Sequence, residues 1–297
     1  MLKITSKANL KRVALISIVA AMSASMTACM SVKVTEKDFI RPDRLTGYQA
    51  KEPASTQFVQ KIKPNLQVQE QSIAVNESLS LNGLRLDVGA DGNSDRPTIL
   101  YFGGNLSHAD ESIKNLARQT AACSANIITF DYRGYGRTKG DPSIATLQED
   151  ALRIYDQVRQ ATKGKLYLHG QSLGSFMSGH IMQNRSVDGV ILEATATTIA
   201  DVVDFKTPWY AVPFVRFEYD PSTSLIDNRK SVSQFQQRSL VIVGEKDELF
   251  GPDLGKKVYE AIPSKQKQLL VVKDGNHTGM MNKLEVQQGV CSFISGR

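Results

Sequence analysis

Residues Gly170-Gln171-Ser172-Leu173-Gly174 read G-x-S-x-G, and an apolar run, Leu166-Tyr167-Leu168-His169, leads into them. A helix-like stretch runs on from Ser175 towards Asn184. Strand, sharp turn and helix is the setting in which this pentapeptide carries chemistry. The turn asks the serine for a backbone conformation that L-residues rarely adopt, and the flanking glycines make room for it. A hydroxyl held above a sheet edge in this way is open to a substrate carbonyl. Gly and Ser are common residues, so the weight of the motif rests on what surrounds it.

What surrounds it is a series of short apolar runs at 98–102, 126–130, 165–168, 189–192, 239–243 and 268–272, typical of strands buried on both faces. Helical patterns separate most of them. One is 112–123, and another is 146–160, with Leu147, Ala151, Ile154, Tyr155 and Val158 on one face. Alternating strands and helices give an α/β fold with a mostly parallel central sheet and helices on both faces. Upstream, 66–75 and 79–88 partly alternate and predict two more strands or, around Asn82-Gly83, a hairpin. Ligands in such folds bind outside the carboxyl ends of the strands. About forty residues separate the strands near Leu192 and Leu240, more than a crossover needs. They hold the single Trp of the chain, Trp209, among Pro208, Tyr210, Pro213, Phe214 and Phe217, and are expected to form a small cap at about 195–236 that shapes the substrate pocket.

A serine hydroxyl is a poor nucleophile at neutral pH and needs a base, and the base needs an acid to orient it. There are four histidines. His169 stands on the strand before the elbow and points into the fold; His180 lies in the helix after it. His108 follows the strand ending at Phe102 and is the reserve. His277 follows the last strand in Asp274-Gly275-Asn276-His277, where Gly275 lets the loop turn, and is the best base. The acid lies between serine and histidine in chain order. Gly244-Glu245-Lys246-Asp247-Glu248 supplies it at a strand end, with Asp247 chosen and Glu245 and Glu248 as rivals.

These segments, with Tyr101-Phe102-Gly103-Gly104-Asn105 and Phe130-Asp131-Tyr132-Arg133-Gly134-Tyr135-Gly136, resemble the α/β-hydrolase fold family, and within it the lipase-like and serine-aminopeptidase-like branch of the BEM46-type hydrolases. The resemblance covers roughly residues 75 to 290. It implies Ser172 as nucleophile, Asp247 as acid and His277 as base. It also implies an oxyanion hole from the N–H of Leu173 and an N–H of the loop after Phe102, that of Asn105 or Gly104. The 131–136 turn is mostly architectural in that family. No H-E-x-x-H or close Cys/His cluster occurs, so neither a metal nor another cofactor is expected.

The first thirty residues add a place. Lys3, Lys7, Lys11 and Arg12 precede an apolar run at 13–22, too short for a permanent span, and small residues lead to Met26-Thr27-Ala28-Cys29. The last four resemble a bacterial lipobox, with Met26 where Leu is usual. This implies a signal peptide at 1–28, a lipid on Cys29 and a chain anchored to a membrane without spanning it. Met30 is not the Asp linked to inner-membrane retention, so the periplasmic side of an outer membrane is expected. Residues 29–65 read as a lipidated, Pro-containing tether ahead of a hydrolase domain at 66–297. Four basic and no acidic residues leave with the signal, which lowers the net charge of +6 to +2 and removes any electrostatic case for nucleic acid. Cys123 and Cys291 remain, and buried free thiols are slightly preferred over a disulfide.

The expectation is an envelope-anchored serine hydrolase acting on a small-molecule acyl ester, thioester or amide, carboxylesterase- or lipase-like first. The alternatives are a serine peptidase of the same fold and a non-catalytic lipoprotein binding module.

Overall fold

A computed structural model describes residues 30–50, 52–89 and 95–296. In chain order its elements are β1 (Met30–Val34), α1 (Asp43–Thr46), α2 (Thr56–Gln60), β2 (Leu66–Ala74), β3 (Ser80–Val88), β4 (Thr98–Phe102), α3 (Ala109–Cys123), β5 (Asn126–Phe130), α4 (Ile144–Ala161), β6 (Leu166–Gln171), α5 (Leu173–Asn184), β7 (Gly189–Glu193), α6 (Ile199–Lys206), β8 (Val215–Tyr219), α7 (Asn228–Val232), β9 (Arg238–Gly244), α8 (Gly251–Ala261), β10 (Lys267–Val272) and α9 (Leu284–Ser295). They divide into two compact units, the smaller made of β1 with 207–219 and the larger of 35–206 with 220–296.

The larger unit is built on an eight-stranded sheet in the order β10-β9-β7-β6-β4-β5-β3-β2. All neighbours are parallel except β3, which runs against both β2 and β5. Strands β4 to β7 are buried at every position, as their continuous apolar runs require when helices cover both faces. The pleat sorts side chains in period two. Ile99, Ile127, Tyr167, Ile191 and Ile242 join one core with Ile113 of α3 and Phe293 of α9. Leu100, Ile128, Leu168, Val190 and Val241, buried too, alternate with them along the strands. Helix α4 starts where Ser143 and Thr146 form a reciprocal capping box, and it buries Ile144, Leu147, Ala151, Ile154, Tyr155 and Val158.

Asn82-Gly83 lies inside β3 and makes no turn. A Cβ on Gly83 would stand 2.1 Å from the carbonyl of Thr129, so glycine is required for β5 to approach. The chain turns at 75–79 instead, where the Asn76 side chain accepts from the N–H groups of Ser78 and Leu79.

Two other expectations meet a different structure. The tether at 29–65 carries β1, α1 and α2, and from Thr35 onward it is bonded to the larger unit. Glu36 accepts the N–H of Ile144 at 2.9 Å, Asp43 accepts that of Gly136 at 2.8 Å, and Val59 is fully buried. The cap expected at 195–236 is divided: 207–219 stands with β1, whereas α6 and α7 belong to the larger unit. Among the described residues no helix is long and apolar enough to cross a membrane.

The preference for free thiols is corrected. Cys123 and Cys291 form a disulfide with their Cα atoms 4.7 Å apart, because the packing of α3 against α9 brings together residues separated by 168 positions. Closing so long a loop restricts the unfolded chain. Cys123→Ser/Cys291→Ser is expected to lose about 2–5 kcal/mol of unfolding free energy in urea titration, and wild type under reductant the same amount.

Candidate active site

Ser172 sits between the end of β6 and the first residue of α5 with φ 53° and ψ −116°. A β-carbon at this angle is strained, by about 1–3 kcal/mol for such conformations. The neighbours hold it there. Its N–H donates to the carbonyl of Glu193 at 3.0 Å, and its own carbonyl accepts from the N–H of Ser175 at 2.9 Å and the hydroxyl of Ser175 at 2.7 Å. The motif's glycines are dictated by contact. A Cβ on Gly174 would lie 1.9 Å from the carbonyl oxygen of Phe102, and one on Gly170 would lie 2.3 Å from that of Gly174.

The loop after β9 carries Asp247 and the loop after β10 carries His277, and the two loops are bonded to each other. Lys246 N–H donates to Gly275 O at 2.8 Å and Glu245 N–H to Val272 O at 3.0 Å. His277 Nδ1 lies 3.0 and 2.9 Å from the two carboxylate oxygens of Asp247, and its Nε2 lies 2.8 Å from Ser172 Oγ. A carboxylate only accepts, so Nδ1 carries the proton and Nε2 is left to accept from the serine hydroxyl. Phe250 packs its ring edge-on against the imidazole, with centroids 4.8 Å apart. Asp247 is buried, and burial alone pushes its carboxyl up. The hydrogen bond and charge of His277, with the N–H groups of Phe250 and Leu249, outweigh this and hold it below the usual carboxylate value.

Leu173 opens α5, so its N–H has no acceptor within the helix and stands at the positive end of the helix dipole beside Ser172. Across from it the loop after β4 turns tightly, with Ser107 N–H donating to Gly104 O and Leu106 at φ 70°. Gly104 lies against the serine: a Cβ there would be 3.2 Å from Ser172 Cβ. Both Gly104 and Asn105 are in this turn. Tyr132 donates its hydroxyl to Gly103 O at 2.7 Å, and Tyr135 donates to Asn105 Oδ1 at 2.8 Å. The 131–136 turn therefore props the loop beside the serine. Neither tyrosine's partner was expected from the sequence, since the bonds span about thirty residues and no local pattern marks them.

The remaining candidates have other partners. His108 is bonded to Asp43 at 2.8 Å and stacked on Tyr48 at 3.5 Å. His169 is buried and paired with Glu193 at 2.9 Å. His180 lies within α5. Glu245 accepts from Asp274 N–H, and Glu248 is exposed. Cys29 and the signal segment at 1–28 lie outside the described residues. Among the described residues no cluster of three or more His, Cys, Asp or Glu has the geometry to hold a metal. A cavity of about 260 Å³ is lined by Gln171 and Thr278, the chain neighbours of Ser172 and His277, together with Tyr101, Leu106, His108 and Met281.

The depressed acidity of Asp247 sets a pH dependence. A carboxyl whose native pKa lies below its unfolded value adds stability above about pH 4, and this is lost as pH falls through the native value. The stability gap between wild type and Asp247→Asn in urea titrations is therefore expected to be widest above about pH 4 and to narrow below it.

Known proteins resemble this chain in sequence and in fold. The family described as "Serine aminopeptidase, S33" matches residues 93–217. Protein bem46 of Schizosaccharomyces pombe is 24% identical over 194 residues, covering 63% of each chain. Lysophosphatidylserine lipase ABHD12 of Danio rerio is 28% identical over 181 residues, covering 56% of this chain and 47% of that protein. The chain thus spans about half to three-fifths of the length of these curated relatives. Among solved structures, the esterase Pf2001 of Pyrococcus furiosus superposes with a TM-score of 0.63 at 16% identity, over 84% of this chain and 98% of that one, a likeness of fold. Sheet order, elbow and relatives lead to one assignment: the chain has the α/β-hydrolase fold and is similar to the BEM46-type branch of that fold family.

Proposed function

We propose that the protein is a serine hydrolase of carboxylic esters, acting through Ser172, His277 and Asp247 and anchored to the cell envelope by a lipid on Cys29. The observation that carries the catalytic part is the continuous line Ser172 Oγ–His277 Nε2 at 2.8 Å and His277 Nδ1–Asp247 Oδ2 at 2.9 Å. In this reading His277 takes the proton of Ser172 as Oγ bonds to the substrate carbonyl carbon. The negative charge on the carbonyl oxygen meets the N–H of Leu173 and one N–H of the Gly104-Asn105 turn, each worth about 3 kcal/mol at the transition state. His277 then protonates the leaving alcohol and the C–O bond breaks, leaving Ser172 acylated. Water gives its proton to His277 and its oxygen to the acyl carbon, and the acid departs as Ser172 regains its hydrogen. Asp247 holds the imidazole and balances the imidazolium charge.

Acyl esters come first because the relatives include lysophosphatidylserine lipases. The match to the serine aminopeptidase family makes an amide the second reading. The Cys123–Cys291 disulfide supports an oxidising compartment, and so export.

A fluorophosphonate probe is expected to label wild type at Ser172 and not Ser172→Ala, whose kcat on an ester should fall by a factor on the order of a million. Equal labelling of the two proteins refutes the nucleophile. On a panel of nitrophenyl acyl esters and aminoacyl nitroanilides, the esters should show the higher kcat/KM; the reverse order would move the protein to the peptidases.

A further inference from the structure

The smaller unit presents its aromatic residues to solvent. Trp209 is 85% exposed, Tyr210 62%, Val212 58% and Phe214 53%. They belong to a run, 207–215, that contains no charged residue. A soluble surface seldom carries four large apolar side chains so close in sequence at such exposure. The run leads directly into β8, and β8 pairs in parallel with β1 in the register Met30↔Val215, Val32↔Phe217 and Val34↔Tyr219. Parallel pairing puts the beginnings of both strands at one end of the ribbon. Met30, itself 59% exposed, therefore stands beside Val215, about 4.8 Å across the ribbon, at the end where the aromatic run arrives. Cys29 is the residue that precedes Met30 in the sequence.

We infer that Met30, Trp209, Tyr210, Val212 and Phe214 form a membrane-seating surface that inserts into the bilayer holding the anchor on Cys29. The inference rests on that anchor. A lipid attached one residue before Met30 brings this end of the ribbon to the headgroups whatever the rest of the chain does. The side chains there suit that depth. Trp and Tyr pair an apolar ring with a polar atom and concentrate at membrane–water interfaces, and Phe and Val reach the acyl region beyond. The other face of the ribbon alternates Ser31 and Lys33 with Arg216 and Glu218, residues that stay with water. The register is what makes the arrangement work: it joins a site at the beginning of the mature chain to a surface some 180 residues later.

Trp209 is the only tryptophan, so its emission reports this surface alone. The full chain, isolated from cell membranes, would be reconstituted in phosphatidylethanolamine–phosphatidylglycerol vesicles with and without brominated acyl chains. Mass spectrometry of the N-terminal peptide reads the Cys29 lipid independently. Blue-shifted emission is expected, quenched most by bromines about 5–10 Å below the headgroup boundary. Tyr210→Ser/Phe214→Ser, checked for unchanged far-UV circular dichroism, should lose at least about half of that quenching. Water-like, unquenched Trp209 on a lipidated, vesicle-bound chain overturns the surface and leaves the anchor standing. An unlipidated Cys29 overturns the anchor, and unquenched Trp209 on such a chain removes the surface with it. Full quenching in the double variant, or emission that turns blue with protein concentration before vesicles are added, also overturns the proposal, the latter in favour of a second copy of the chain.

Discussion

The backbone at Ser172 is the constraint on which the larger unit depends. A residue with a β-carbon is held at φ 53° where β6 gives way to α5, at a cost of about 1–3 kcal/mol. What offsets this is the docking of α5, which buries Phe176, Met177 and Ile181, each side chain contributing about 1.5–3 kcal/mol. The same docking brings the chain so close to β4 that position 174 has no room for a methyl group beside the carbonyl of Phe102. Strain at one residue and tight packing at its neighbours are two sides of one arrangement. It brings Ser172 Oγ within 2.8 Å of His277 Nε2.

Everything else at the site arrives from loops that leave the carboxyl ends of parallel strands. The order β10-β9-β7-β6-β4 places the loops bearing His277, Asp247, Ser172 and Gly104 along one sheet edge. Strands fix the loop roots, and polar bonds fix the loops: Lys246 to Gly275, Tyr132 to Gly103 and Tyr135 to Asn105. The charge on Asp247 persists in a buried place because three donors, His277, Phe250 and Leu249, converge on one carboxylate.

Much of this was legible in the order of residues. The elbow, the apolar strands and the Asp247 and His277 loops follow local rules of period and turn chemistry, and those rules hold for a few residues at a time. Where a feature depends on distant partners the local rules ran out. Asn82-Gly83 has the look of a turn, yet Gly83 is glycine because β5 crosses close to it. Residues 35–65 are polar and punctuated by proline, yet Glu36, Asp43 and Ala54 find partners about 55 to 110 positions away. The aromatics of 207–217 are expected from sequence in a cap that shapes the substrate pocket, yet Trp209 and Tyr210 are among the most exposed large apolar side chains of the described residues.

The sequence by itself determined the strand and helix pattern, the strained serine and the short set of acids and bases able to serve it, because periodicity, glycine placement and side-chain chemistry are written locally. Only the tertiary structure decided that Asp247 and no other acid meets His277, that Cys123 meets Cys291, and that β1 lies beside β8. Each of these is a distance between residues far apart in the chain, and such distances are set by how whole elements pack, which no short stretch of residues encodes.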